Sequence, residues 1–193
     1  MRPVVALGVM MLSFSGQLFP QQWNYYFGNL HSHTGFSDGN KDSSASGVSA
    51  PDGSYSYAKQ SDDFDFLGIS EHNHYSSKGN PGFKRHLYQQ GLAMADAANN
   101  DGAFVALYGL EYGVSSQYNG HVLIYGMSQL PGWEESVPGM TGPNYDVYNA
   151  KTDYAGLFKK VRQTPGAFSY LAHPSFDDFS TNGTWETSLA NGP

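Results

Sequence analysis

Short apolar runs alternate along this chain with polar, glycine-bearing breaks. Trp23 to Leu30 is rich in aromatic residues and predicts a first strand running into His31. Asp65-Phe66-Leu67-Gly68-Ile69-Ser70 is a brief apolar run between polar flanks, the pattern of a buried parallel strand. Ala103 to Leu110, His121 to Gly126 and Ala167 to Ala172 predict three further buried strands. The clearest helix spans about Phe83 to Ala98: Leu87, Leu92, Ala95 and Ala98 fall near helical spacing, and Asn99-Asn100-Asp101-Gly102 closes it. Shorter helices are predicted over Gly53 to Ser61 and from a cap at Thr152 or Asp153 through Arg162. Asn40 to Asp52 and Leu130 to Asn149 carry no period and are expected to be loops, and the stretch after Pro174 is polar and irregular. Strand–helix alternation points to an α/β protein with a mostly parallel sheet.

The N-terminus departs from this pattern. Met1-Arg2 is a positive start, Val4 to Phe14 is nearly all apolar, and Ser13-Phe14-Ser15-Gly16 offers small residues for cleavage. Residues 1–19 therefore read as a secretory signal peptide, too short for a comfortable membrane span. The expected mature domain is 23–193, exported to a periplasmic, cell-surface or secreted location, with no stable membrane span after cleavage. At 193 residues the chain suits a single domain, and 23 glycines with 15% aromatics suit a loop-rich globular one. A net charge of -7 argues against a broad nucleic-acid footprint. A small phosphorylated substrate remains compatible with that charge, because bound metal ions supply positive charge locally. Cysteine is absent, which excludes disulfides, iron–sulfur clusters and a thiol nucleophile. Any transition-metal chemistry must come from the seven histidines with Asp and Glu.

Several of those histidines are placed suggestively. His31 and His33, one residue apart after a predicted strand, point the same way because strand period is two. Asp38 follows in a tight polar loop. Ligand-capable residues recur at the C-terminal ends of predicted strands: His31 and His33, Glu71 and His72, Glu111, and His173. His121 lies at a strand's start, where a hairpin would return it to the same rim. Strand ends converge on the active face of a barrel enzyme. Neutral imidazoles and carboxylates suit Zn, Mn or Fe, and a carboxylate can bridge two cations. A metal pair can deprotonate water and stabilise both oxygens of an in-line displacement, which is much of what phosphoryl transfer asks. No convincing G-x-S-x-G or Walker-type motif offers an alternative.

Four pieces in order carry a family resemblance: Asn29-Leu30-His31-Ser32-His33-Thr34 with Ser37-Asp38-Gly39; Phe66-Leu67-Gly68-Ile69-Ser70-Glu71-His72-Asn73; Gly109-Leu110-Glu111-Tyr112 with His121-Val122-Leu123-Ile124; and Leu171-Ala172-His173-Pro174. Together they resemble the PHP family (polymerase and histidinol phosphatase domains), metal-dependent phosphoesterases on a distorted (β/α)7 barrel. The resemblance implies two or three divalent ions (Zn, Mn or Fe). His31 and His33 would bind one, bridged by Glu111 to a second held by His121 and His173, with Asp38 and His72 holding a third where one is bound. Glu71 stands where the family usually has aspartate; with His72 it is the catalytic candidate, either as a hydrogen-bond partner behind a ligand or as a proton handler. The implied activity is hydrolysis of a phosphomonoester or nucleotide-type phosphodiester by a metal-bound hydroxide.

Two departures qualify the resemblance. The family's late Asp-x-His pair has no counterpart, and only about five strands are predicted where the barrel needs seven. A C-terminally truncated sequence is the economical expectation. The alternatives are a short degenerate member acting as a non-catalytic exported binding module, and a nuclease using the same metals. His74 and His86 match no family position and are expected to be solvated surface histidines. Lys78, Lys84 and Arg85 follow the second strand, where a phosphate clamp would be useful, but a solvated helix start explains them.

Overall fold

The computed structural model describes residues 23–39, 49–76, 80–81, 83–113 and 120–174. The expected signal peptide and the polar stretch after Pro174 lie outside the described residues. Three helices form among the described residues, each burying an apolar stripe. Helix α1 (Pro51–Ala58) starts on a proline, whose fixed φ and missing N–H suit a first helical turn. It therefore begins two residues before the expected Gly53. Helix α2 (Arg85–Ala98) buries Tyr88, Gly91, Ala95 and Ala98, a stripe about three residues apart. Helix α3 (Tyr154–Gln163) is capped by Asp153, whose carboxylate accepts from Gly156 N at 2.8 Å, and it buries Tyr154, Leu157, Phe158 and Val161.

The strands β1 (Gly28–Asn29), β2 (Phe66–His72), β3 (Val105–Tyr112), β4 (Val122–Tyr125) and β5 (Phe168–Leu171) form one curled sheet in the order β1-β2-β3-β4-β5, a half-barrel. The chain is thus mixed α/β. The parallel expectation holds for only half of the sheet: β1–β2 and β2–β3 are parallel, β3–β4 and β4–β5 antiparallel. The reversal follows from the short separation of β3 and β4 in sequence, which suits antiparallel neighbours, whereas a parallel pair needs a crossover of about a dozen or more residues.

The first strand is also far shorter than Trp23 to Leu30. Gly28 pairs with Phe66, the first residue of β2, so residues upstream have no ladder to join. Trp23, Tyr25, Tyr26 and Phe27 stand exposed, and Phe27 N is taken by the Asp65 side chain at 2.7 Å. Aromatic strand preference reflects a half-buried pleated surface, and none is available there. The expected loop of Leu130 to Asn149 contains a two-residue parallel ladder, Pro131–Gly132 with Val147–Tyr148, and buries Asn144 and Asn149.

Period-two alternation gives the sheet two distinct faces. Leu67 and Ile69 of β2, Ala106, Tyr108, Leu110 and Tyr112 of β3, and Val122 and Ile124 of β4 join the main core with Tyr88, Ala95, Leu157 and Phe158 of the helices. The opposite, concave face carries a smaller cluster of Leu123, Tyr125 and Ala172 with Leu107 and Tyr170. Gly68 and His72 of β2 and Glu111 of β3 alternate onto this second face. No helix among the described residues is long and apolar enough to cross a membrane.

Candidate metal centre

Parallel pairing sets His72, the last residue of β2, opposite Glu111 near the end of β3. His31 and His33 follow β1 at the same rim. Because β4 runs the other way, His121 just before it reaches that rim from the opposite direction. Reversal into β5 brings the chain back again, with Ala172 N donating to His121 O at 2.9 Å and His173 next in line. The hairpin expected for His121 is therefore present, and all seven sequence-nominated ligands lie in one group.

Glu111 is its centre, buried to 1% exposure. One carboxylate oxygen, Oε2, lies 2.9 Å from His31 Nε2, 3.0 Å from His33 Nε2 and 3.0 Å from His72 Nε2. The other, Oε1, lies 2.5 Å from His121 Nδ1 and 3.2 Å from His173 Nε2. Asp38 extends the set, with Oδ1 at 3.0 Å from His72 Nδ1 and 3.9 Å from His33 Nδ1. Three overlapping triads, His31/His33/Glu111, His33/Asp38/His72 and His72/Glu111/His121, have ligand atoms close enough to share an ion.

The donor set fits a divalent metal. An ionised carboxylate offers about four lone-pair sites, and five imidazole nitrogens approach this one. Hydrogen bonding does not account for all five, whereas imidazole and carboxylate together are the ligands of borderline divalent ions. His33 Nδ1 and His121 Nε2 are further buried nitrogens without a hydrogen-bond partner.

In the metal-free cluster the charges are strongly coupled. Burial pushes the Glu111 carboxyl up, but His121, His31, His33 and His72 together outweigh it and hold the group ionised far below the usual carboxylate range. Burial disfavours protonated His72, yet its hydrogen bonds to Asp38 and Glu111 win and raise it to about 9. The hydrogen bond from His72 in turn lowers Asp38 to about 2.

Glu71 lies elsewhere. Adjacent residues of a strand face opposite ways, so Glu71 turns with Leu67 and Ile69 toward the helix layer while His72 turns to the cluster. Fully buried, it accepts from Thr34 N at 3.1 Å, from Thr34 Oγ1 at 2.5 Å and from Ser37 Oγ. These bonds tie down the loop between His33 and Asp38. In the structure Glu71 thus anchors the loop that carries His33 and Asp38. Gly39 completes the loop: its N donates to Thr34 O at 2.9 Å, and a Cβ there would run into the backbone of His33.

One residue was missed. His74, expected on the surface, has its ring 5.3 Å from that of His72 and 6.2 Å from that of His121, and its Nδ1 is buried without a partner. Burial, then the neighbouring His72 and His121, lower it to about 4. Its spacing from His72 was the available signal, since residues i and i+2 in extended chain share a face. His86 is exposed, as expected. Arg85 lies 3.8 Å from Asp146, and Lys78 lies outside the described residues. His173 is the one described non-glycine residue at positive φ, 29°. Such backbone costs about 1–2 kcal/mol and is characteristic of functional sites.

Fold and site thus define a mixed α/β half-barrel with a buried His/Glu cluster close enough to bind a metal ion. Comparisons with protein-family models, with curated proteins and with solved structures find no match to this chain.

Proposed function

We propose that this protein is a metal-dependent phosphoesterase of PHP type, hydrolysing a small phosphomonoester or nucleotide-type phosphodiester. The observation that carries the reading is the convergence of five imidazole nitrogens on the two oxygens of one buried carboxylate. In this reading His31, His33 and His72 would hold one ion with Glu111, and His121 and His173 would hold another. Asp38 hydrogen-bonds His72 Nδ1, which fixes the tautomer and leaves Nε2 free to ligate. His173, with its side chain 49% exposed, opens the Oε1 side to substrate. Divalent ions held there supply Lewis acidity toward a phosphoryl oxygen and acidify water. The reading includes export, supported by the positive start and apolar run of residues 1–19.

Metal analysis of the purified protein and chelator-sensitive hydrolysis of an aryl phosphate test this. The expected result is bound metal, turnover abolished by chelator, and loss of both in a His31→Ala, His33→Ala variant. Unchanged hydrolysis in that variant would refute the assignment. A second reading, a metal-stabilised binding module without turnover, draws support from the two-imidazole Oε1 side among the described residues. It predicts tightly bound metal and no hydrolysis.

A further inference from the structure

Strand β1 holds His31 through Asn29, whose side-chain carbonyl accepts from His31 N at 2.8 Å and whose amide donates to His31 O at 3.1 Å, and a second hold comes from across the sheet. Strand β1 has two residues, both exposed, and pairs only with β2; its ladder stops at Asn29. The next carbonyl, Leu30 O, accepts two phenolic hydroxyls: Tyr125 Oη from β4 at 2.5 Å and Tyr170 Oη from β5 at 2.7 Å. These strands lie at the far side of the sheet from β1 in its order. The hydroxyls reach it across the concave face.

The path of Tyr125 is built for that reach. A Cβ on Gly109 of β3 would meet Ile124 O at 1.9 Å and the Tyr125 ring at 2.9 Å, and one on Gly68 of β2 would meet Tyr125 Oη at 2.7 Å and Leu30 Cα at 3.1 Å. Two successive strands thus carry glycine where the tyrosine crosses them. Phe168 stacks on the ring at 5.4 Å and holds it from β5. Tyr125 is fully buried, and burial raises its hydroxyl far above the normal range, so it stays a neutral donor. Beyond Leu30, Ser32 Oγ donates to Gly68 O at 2.8 Å and Ser32 O accepts from Ser70 N at 2.8 Å, so the clamp and the loop share one attachment to β2.

We infer that Tyr125 and Tyr170 are positioning residues for the metal centre: together they hold the Leu30 carbonyl, and through it the His31 imidazole, against Glu111. The inference rests on His31 being a metal ligand. Partners one step behind a ligand typically matter about 10–100-fold in metal affinity, and this pair acts on the ligand's backbone instead of its ring.

The test uses the full chain with Tyr125→Phe, Tyr170→Phe and the double variant, each keeping the ring and its packing. Zinc affinity is measured by competition with a chromophoric chelator, Co(II) substitution reports ligand geometry, and melting of the metal-free protein reports folding. The expected result is a loss of about tenfold or more in affinity for the ion at His31, larger in the double variant, with an altered Co(II) spectrum. Gly68→Ala, whose Cβ would crowd both Tyr125 Oη and Leu30 Cα, should reproduce that loss. Wild-type affinity and spectrum in the double variant, with only a lowered melting temperature, would overturn the clamp and leave the metal reading standing. Absence of metal from wild-type protein would overturn both.

Discussion

The pair Asp38–His72 gives the sharpest quantitative prediction, because its sign reverses when metal is present. In metal-free protein the rise of His72 from 6.5 to about 9 corresponds to about 3 kcal/mol of stabilisation. That contribution is fully present below pH 6.5 and is lost as pH rises toward 9. Asp38, lowered from 3.8 to about 2, contributes above pH 3.8 and loses its effect as pH falls toward 2. The two shifts describe largely the same contact and are not summed. Metal-free protein should therefore gain most from the pair between about pH 4 and 6.5. Asp38 and Glu111 both raise His72, so Asp38→Asn should remove roughly half of its effect, about 1.5 kcal/mol. Urea titration of chelator-treated wild type and Asp38→Asn at pH 5.5 and pH 9 measures this. Wild type should weaken with pH more steeply than the variant. With zinc present the trend inverts, since ligation needs unprotonated imidazole and metal affinity rises with pH. Parallel curves for wild type and Asp38→Asn in metal-free protein would refute the assigned ion pair. An unchanged slope on adding zinc would refute His72 as a ligand.

Three other outcomes follow from the geometry. Glu111→Gln removes the charge that five imidazoles share, so metal content measured by elemental analysis should fall to background; retention of even one equivalent would move the centre elsewhere. Glu71→Ala leaves Thr34 N, Thr34 Oγ1 and Ser37 Oγ without their buried acceptor and should cost about 3 kcal/mol in denaturant unfolding. A surface-like cost below about 0.5 kcal/mol would contradict the anchor role. His74→Phe removes a buried nitrogen that has no partner, so metal-free stability should change by less than about 1 kcal/mol or increase. A loss of about 2 kcal/mol or more by the same measure would show that Nδ1 is bonded after all.

Much of the centre was legible in the chain because ligands at strand exits need only local pattern to be found. Apolar runs locate β2, β3, β4 and β5 to within a few residues, and the residue after each run can be read directly. Adjacent residues on a strand must face opposite ways, so Glu71 and His72 were separable in principle. Which of them faces the cluster was decided by the helices, which cover the face of Leu67 and Ile69. His74 carries no motif and joined the group only through the path of the chain after β2, which sets its ring beside those of His72 and His121. The length of β1 depended on where β2 begins, a fact about its partner.

The sequence by itself determined the donor set, imidazole and carboxylate without thiol, and the order in which strand ends deliver it. Only the tertiary structure decided that Glu111 divides the histidines three to one oxygen and two to the other. It alone brought Tyr125 and Tyr170 from 95 and 140 residues away onto Leu30 O. Local propensity reaches only a few residues along the chain. Curling of the sheet sets which distant atoms share a face, and hydrogen bonds lock that choice once burial has removed water as a competitor.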